Sequence, residues 1–374
     1  MKKNEFLSAL RASLTGIPAE DAERALDYYS EMIDDCMEDG MSEDEAVEQL
    51  GSVEQAAASI MPDTQRKASA EKAVSHDAMA DAQYTNEPFR SIRIEEQESD
   101  VVFIPSDDGV CTVDWCEKLP HTAEVIGGVL TVRRLEDRSR FWRVKLRRDE
   151  AKLFVRLPAG EYDELYVSTA CGDITVPSDY AFERANISSA SGDIDFSAAV
   201  RVSLRAKAVS GDLRIADVGA GDMELGAVSG DVALTHAETE GRITVKTVSG
   251  DIELKSVSCG DLLTKTVSGD TAADAIRCSG FRAETISGDL NASGLIADGL
   301  LEFTGSSGDA KLNACDGGSI RMRSSSGDIR GSLLSGKQFR CVSRSGDVSV
   351  PASTQGGVCD VATASGSIRL TVKY

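Results

Sequence analysis

A Gly-Asp dipeptide, usually preceded by Ser, recurs at Gly172, Gly192, Gly211, Gly230, Gly250, Gly269, Gly288, Gly308, Gly327 and Gly346. An eleventh copy at Gly366 carries Ser367 in place of Asp, and successive copies are 19 or 20 residues apart. A period of that length belongs to units too small to bury a core alone, which become stable by stacking. Positions seven and five before the Gly are apolar in most copies, as in Leu204/Ala206, Met223/Leu225 and Ile243/Val245. Positions two and four after it repeat the pattern, as in Leu213/Ile215, Val232/Leu234 and Ile252/Leu254. Each unit therefore reads as two short strands of alternating character. Glycines such as Gly221, Gly241, Gly260, Gly299, Gly318 and Gly357 mark a second corner in several units. The spacing predicts a mainly β chain whose body is a parallel β-solenoid of about eleven coils, roughly 50 Å long at ~4.8 Å per coil. At the corner, Gly is expected to supply backbone freedom and Asp to hydrogen-bond nearby amides.

The repeats do not extend through the whole chain. Residues 1–63 carry sixteen acidic side chains against four basic ones and show helical periodicity, with Phe6, Leu7, Leu10 and Leu14 on one stripe. Three further helices are expected over about 20–38, 42–51 and 53–61, making a small all-α bundle. Residues 64–88 are polar and Ala-rich and read as a linker. From residue 89 to 374 the pattern is β. Residues 89–170 form irregular strands and a cap, and 171–374 form the regular coils. Arg369 and Lys373 beside Leu370 and Val372 suggest a final strand whose charges discourage edge pairing.

The formal charge of −22 opposes direct nucleic-acid binding and adsorption to anionic lipid. No run approaches the ~18–20 apolar residues that span a bilayer, so no transmembrane segment is expected. MKKNEFLSAL lacks the apolar region of a signal peptide. The nine cysteines include no CxxC pair, as expected of reduced thiols. The expected location is cytoplasmic, with the cell surface, reached without a recognisable signal peptide, as the alternative.

Three groups of residues are candidate sites. Asp173, Asp193, Asp212, Asp231, Asp251, Asp270, Asp289, Asp309, Asp328 and Asp347 would stack along one edge. Because Gly and Asp are adjacent, without the spacer of calcium-binding β-rolls, the ladder reads as a structural corner, and no metal is expected. Two residues before the Gly, Val209, Val228, Val248, Val267 and Ile286 should point outward as an apolar strip about 20 Å long, a candidate binding surface. The third group is a basic patch of Arg133, Arg134, Arg143, Lys145 and Arg147 among aromatics; alternation makes it the solvent face of a strand, or a dock for the acidic bundle. No HExxH, GxSxG or Walker loop occurs and the three histidines are dispersed, so neither an enzyme nor a cofactor is expected.

The SGD repeats, preceded by KLFVRLPAGEYDELYVSTACGDI, resemble the DUF4097 family, also called adhesin domains, from about Phe89 to Tyr374. EFLSALRASLTGIP, DYYSEMIDDCMEDG and EDEAVEQLGSVEQAAASI look like the HAAS (DUF1700-like) helical domain. The resemblance implies a bacterial protein connected with cell-envelope stress or surface signalling. Its helical domain would contact a protein partner such as a PadR-like transcription regulator, and neither family brings catalytic residues. The resulting expectation is a non-catalytic interaction and signalling module, monomeric or a small oligomer. The alternative is a surface adhesin or envelope-polymer-binding protein; a polysaccharide lyase is the least favoured.

Overall fold

The computed structural model describes residues 2–13, 26, 30, 81–85, 87–116, 119–135, 151–353 and 355–373. The chain divides into two units, Met1–Asp77 and Ala78–Tyr374. In the first, the helix Lys3–Ser13 buries Phe6 and Leu10 completely, four residues apart on one face. Leu26 and Ser30 are helical and Leu26 is buried; the rest of the expected second helix, and the third and fourth, lie outside the described residues.

In the second unit, strands stack in parallel and in register. On one side Leu204 pairs with Met223, Met223 with Ile243 and Ile243 with Leu262. On the next, Leu213 pairs with Val232, Val232 with Ile252 and Ile252 with Thr271. A short third side turns Val218, Ala237, Val257, Ile276, Leu295 and Cys315 inward. These rows merge into one continuous core, mostly aliphatic, with Phe103, Tyr162, Tyr180 and Phe182 clustered near its first coils. Stacked like side chains fill it layer by layer, which accounts for the strictness of the apolar positions.

The corner chemistry differs from the expectation in one respect. The SGD glycines do not adopt left-handed backbone angles. They are required by close approach instead: a Cβ at Gly250 would lie 1.9 Å from the carbonyl oxygen of Gly230, and one at Gly269 would lie 1.8 Å from that of Gly250. Left-handed conformation belongs to the third corner, at Asp217, His236, Ser256, Ala275, Gly294 and Ala314, where φ lies between 50° and 62°. Only one of these six is glycine, so this ladder carries no residue-type signal in the sequence.

Both ends of the solenoid depart from chain order. Ser91–Glu95 pairs in parallel with Gly160–Thr169 on one side and Val129–Arg134 on the other. Asp100–Ser106 likewise lies between Ile174–Val176 and Lys152–Pro158. Residues 91–106 are therefore a true coil, with Ser99-Asp100 standing where later coils have Gly-Asp. His121–Ile126 and Cys111–Trp115 pair antiparallel with the outer layer, burying Trp115 and Leu119. Asp81–Thr85, within the expected linker, is a strand paired antiparallel with Cys111–Trp115. Backbone pairing rather than apolar alternation makes it a strand.

At the other end, Val358–Thr363 lies between Ser319–Ser324 of the preceding layer and Gln338–Ser343. Ile368–Val372 lies between Ile329–Leu333 and Val348–Ser349. The last coil in sequence is thus inserted one layer in. The strand bearing Arg369, with Lys373 just past its end, is interior, which corrects its reading as an edge; the edge is formed by Gln338–Ser343 and Val348–Ser349.

Candidate functional site: the SGD corner ridge

The corner is held by two interlocking hydrogen-bond ladders. The Asp231 amide donates to the Asp212 carboxylate at 3.0 Å, Asp251 to Asp231 at 2.8 Å and Asp270 to Asp251 at 2.8 Å. This series runs from Asp100, which accepts from Asp173, to Asp328, which accepts from Ser367. Where a basic residue follows two positions on, it holds the second carboxylate oxygen, as Arg214 does with Asp193 and Asp212, and Arg330 with Asp309. Asp347 lies on the terminal layer, next to Ser367 in the stack, which offers no carboxylate.

The residue three before the Gly makes the second ladder. Thr247 Oγ1 accepts from the Gly250 amide at 3.1 Å and donates to the Gly230 carbonyl in the previous coil at 3.2 Å. Ser189, Ser324 and Ser343 repeat both bonds. Three residues before the Gly, all eleven copies hold Ala, Ser, Thr or Gly. The missed signal was the predominance of hydroxyls among them.

Between these ladders, Val209, Val228, Val248, Val267 and Ile286 stand on consecutive coils, 38% to 53% exposed. Their backbones are fixed by the stack: Ser229 N–H donates to the Val209 carbonyl, Ser249 to Val228, Ser268 to Val248 and Ser287 to Val267, each at 2.9–3.0 Å. The result is a straight, rigid row of β-branched side chains, since Ile and Val have little rotamer freedom to lose. Lys207, Lys246 and Lys265 border it on the strand side, and serines and the aspartate ladder border it on the other.

The basic patch is only partly within the described residues. Arg133 pairs with Glu95 at 3.3 Å and Arg134 with Glu98 at 3.4 Å; Arg143, Lys145 and Arg147 lie outside the described residues. A separate open groove of about 1160 Å³ crosses the strands that precede the SGD corner and is lined by Glu164, Tyr166, Arg184, Glu224 and Arg242 among others. Several of its charges are paired, with Arg184 on Glu164 at 3.4 Å, Arg205 on Glu224 at 2.8 Å and Arg242 on Asp261 at 3.4 Å. Arg93 stacks over the Tyr166 ring at 4.4 Å.

Near the antiparallel strands, Glu96 and His121 form a fully buried pair. Burial alone would push the Glu96 carboxyl up; the His121 hydrogen bond and charge, with the Ser99 and Gln97 amides, outweigh it and hold it at about 2. The thiols of Cys259 and Cys278, on neighbouring coils, are pushed up to about 12 by burial, which makes them poor nucleophiles. Among the described residues, no group of three or more His, Cys, Asp or Glu side chains is placed to hold a metal ion, and no helix is long and apolar enough to cross a membrane.

Residues 5–59 match the HAAS domain. No curated protein matches the chain. Solved structures similar to it include a putative adhesin from Bacteroides fragilis (13% identity, 78% of this chain and 96% of that one, TM-score 0.30). Others are a putative lipid-binding protein from Parabacteroides distasonis (15%, 79% and 96%, TM-score 0.38) and a putative cell adhesion protein from Clostridium sporogenes (8%, 78% and 99%, TM-score 0.19). Residues 89–244 and 237–374 match the Toastrack DUF4097 family, and with that match spanning most of its length the chain belongs to this family.

Proposed function

We propose that this protein is a non-catalytic interaction module in which the solenoid is a rigid recognition surface and the HAAS unit contacts a second protein. The observation that carries the reading is the exposed row from Val209 to Ile286. Burying a row of this kind in a partner contributes about 25 cal/mol per Å² of apolar area, and little ordering entropy opposes it because backbone and side chains are already fixed. In this reading the HAAS unit's partner is a transcription regulator of the PadR-like class and the pathway is cell-envelope stress signalling. The protein works inside the cell, and protease treatment of intact cells tests that placement: protection of the solenoid until lysis is expected, and its release from intact cells would contradict it.

The partner surface is tested by replacing Val228, Val248 and Val267 together with Ser. The expected outcome is an unchanged fold by circular dichroism and loss of the partner co-purified with the wild type. Retention of that partner would overturn the assignment of the row.

A second reading, binding of an envelope polymer, is favoured by the groove beside Tyr166, whose paired charges suit a polar chain. Binding of isolated wall polysaccharide that is lost on Tyr166→Ala would support it over the first reading.

A further inference from the structure

The two ends of the solenoid are chemically unlike. At one, antiparallel strands cover the core. At the other, the inward positions that are buried elsewhere come to the surface: Phe339 and Cys341 are half-exposed, and Val348 is 42% exposed. Val342 and Leu334 add further apolar surface beside them. Among the described residues, no strand pairs with the outer side of Gln338–Ser343 or Val348–Ser349. The Gln338 and Arg344 amides donate inward, to the Gly357 and Thr363 carbonyls. The pleat therefore turns the N–H and C=O groups of Phe339, Cys341 and Ser343 to the open edge.

The charge of this end is also distinct. Between residues 319 and 373 there are eight Arg and Lys against three Asp in a chain of net charge −22, and Arg321, Arg330 and Lys337 are paired with Glu302, Asp309 and Asp316 of earlier coils. Arg340, exposed on the edge strand, faces Asp360, which Arg323 already holds, and Arg344, exposed just past the strand, makes no salt bridge among the described residues.

These features point to a single kind of occupant. We infer that the open end is a strand-addition site for an acidic extended segment of a partner protein, in which acidic and apolar residues alternate. The apolar residues would cover Phe339, Cys341 and Val348, the acidic ones would meet Arg340 and Arg344, and the partner backbone would satisfy the edge. A second copy of this end is disfavoured because like charges would face each other across the join. An anionic membrane would satisfy the charge but not the open backbone groups, which are costly to place against hydrocarbon. Edge arginines thus discourage self-pairing while selecting an acidic strand. This site is on a different coil from the apolar row and does not depend on it.

The test uses the full-length chain and two labelled peptides, one alternating Glu and Val and one alternating Lys and Val, with binding read by fluorescence anisotropy. The Glu/Val peptide is expected to bind saturably and more weakly at high salt. Arg340→Glu with Arg344→Glu should weaken it by about tenfold or more and transfer preference to the Lys/Val peptide. The Val228, Val248 and Val267 replacements should leave binding unchanged, which separates this inference from the proposed function. No binding, equal binding of both peptides, or indifference to the arginine variant would overturn it. So would a dimer in sedimentation that Val342→Arg dissociates, or flotation with phosphatidylglycerol vesicles that the arginine variant abolishes while the Glu/Val peptide fails to bind.

Discussion

The amide of Ser367 donates to the carboxylate of Asp328 at 2.8 Å, passing over Asp347, which lies between them in the chain. This bond places the last coil inside the stack, and Gly366 correspondingly packs on Gly327 while Gly346 packs on Gly366. Leu370 is consequently a core residue, 3% exposed, although it lies four residues from the C-terminal Tyr374. Leu370→Ala should destabilise by about 2–3 kcal/mol, whereas Val348→Ala on the true edge should cost under about 1 kcal/mol. Urea denaturation of the two variants checks this, and equal small losses would contradict the insertion.

The glycine ladders predict opposite responses to adding or removing a methyl group. Gly250→Ala drives a Cβ into the Gly230 carbonyl, and the stack cannot shift one coil without shifting its neighbours. A loss of at least about 3 kcal/mol is expected. At the left-handed corner, Ala275→Gly relieves a strained conformation at the cost of added freedom in the unfolded chain. The expected result is a change between neutral and about 1 kcal/mol of stabilisation, read from the thermal midpoint.

The aspartate ladder depends on an acceptor oxygen rather than on charge. Asp251→Asn keeps an oxygen for the Asp270 amide, and Asp251→Ala does not. The Ala variant should lose about 1 kcal/mol and speed hydrogen exchange at the Asp270 amide, while the Asn variant should lose less. Equal effects of the two would show that the amide has another partner.

Acid stability tests the buried Glu96–His121 pair. Glu96 titrates at about 2 in the folded chain, against about 4.3 when unfolded. Its contribution is therefore fully present above the unfolded value and disappears as pH falls toward 2. Glu96→Gln should cost about 3 kcal/mol at neutral pH. The difference between wild type and variant should shrink between pH 5 and pH 2, about the window set by the two values. A difference that stays constant over that range would contradict the assignment.

The coils were legible because each apolar position recurs in register, so a pattern weak in one unit becomes strong over eleven. The outward direction of Val248 followed from its neighbour Thr247 facing in. Three features escaped for physical reasons. The order of the end coils depends on where a connecting segment steps, and residues 334–337 and 350–357 encode that path without periodicity. The left-handed corner accepts Asp, His, Ser, Ala and Gly, so no residue type announces it. The coil at 91–106 was hidden because Ser99 replaces the marker glycine, which is tolerated in the layer where the ladder begins. Of the candidate sites, the apolar row was readable, while the arginine-edged open end appears only once the last coil is seen to be interior.

The central claim is that the row from Val209 to Ile286 meets a protein partner. The most direct measurement places a photo-crosslinking amino acid at Val248 in the native host, with the same residue at Ala233, on a different side of the coil, as control. The account predicts a discrete crosslinked protein at position 248, reproduced at Val209 and Ile286 and absent at 233. Crosslinks of equal yield at 233 and 248, or none above background on the row, would contradict it.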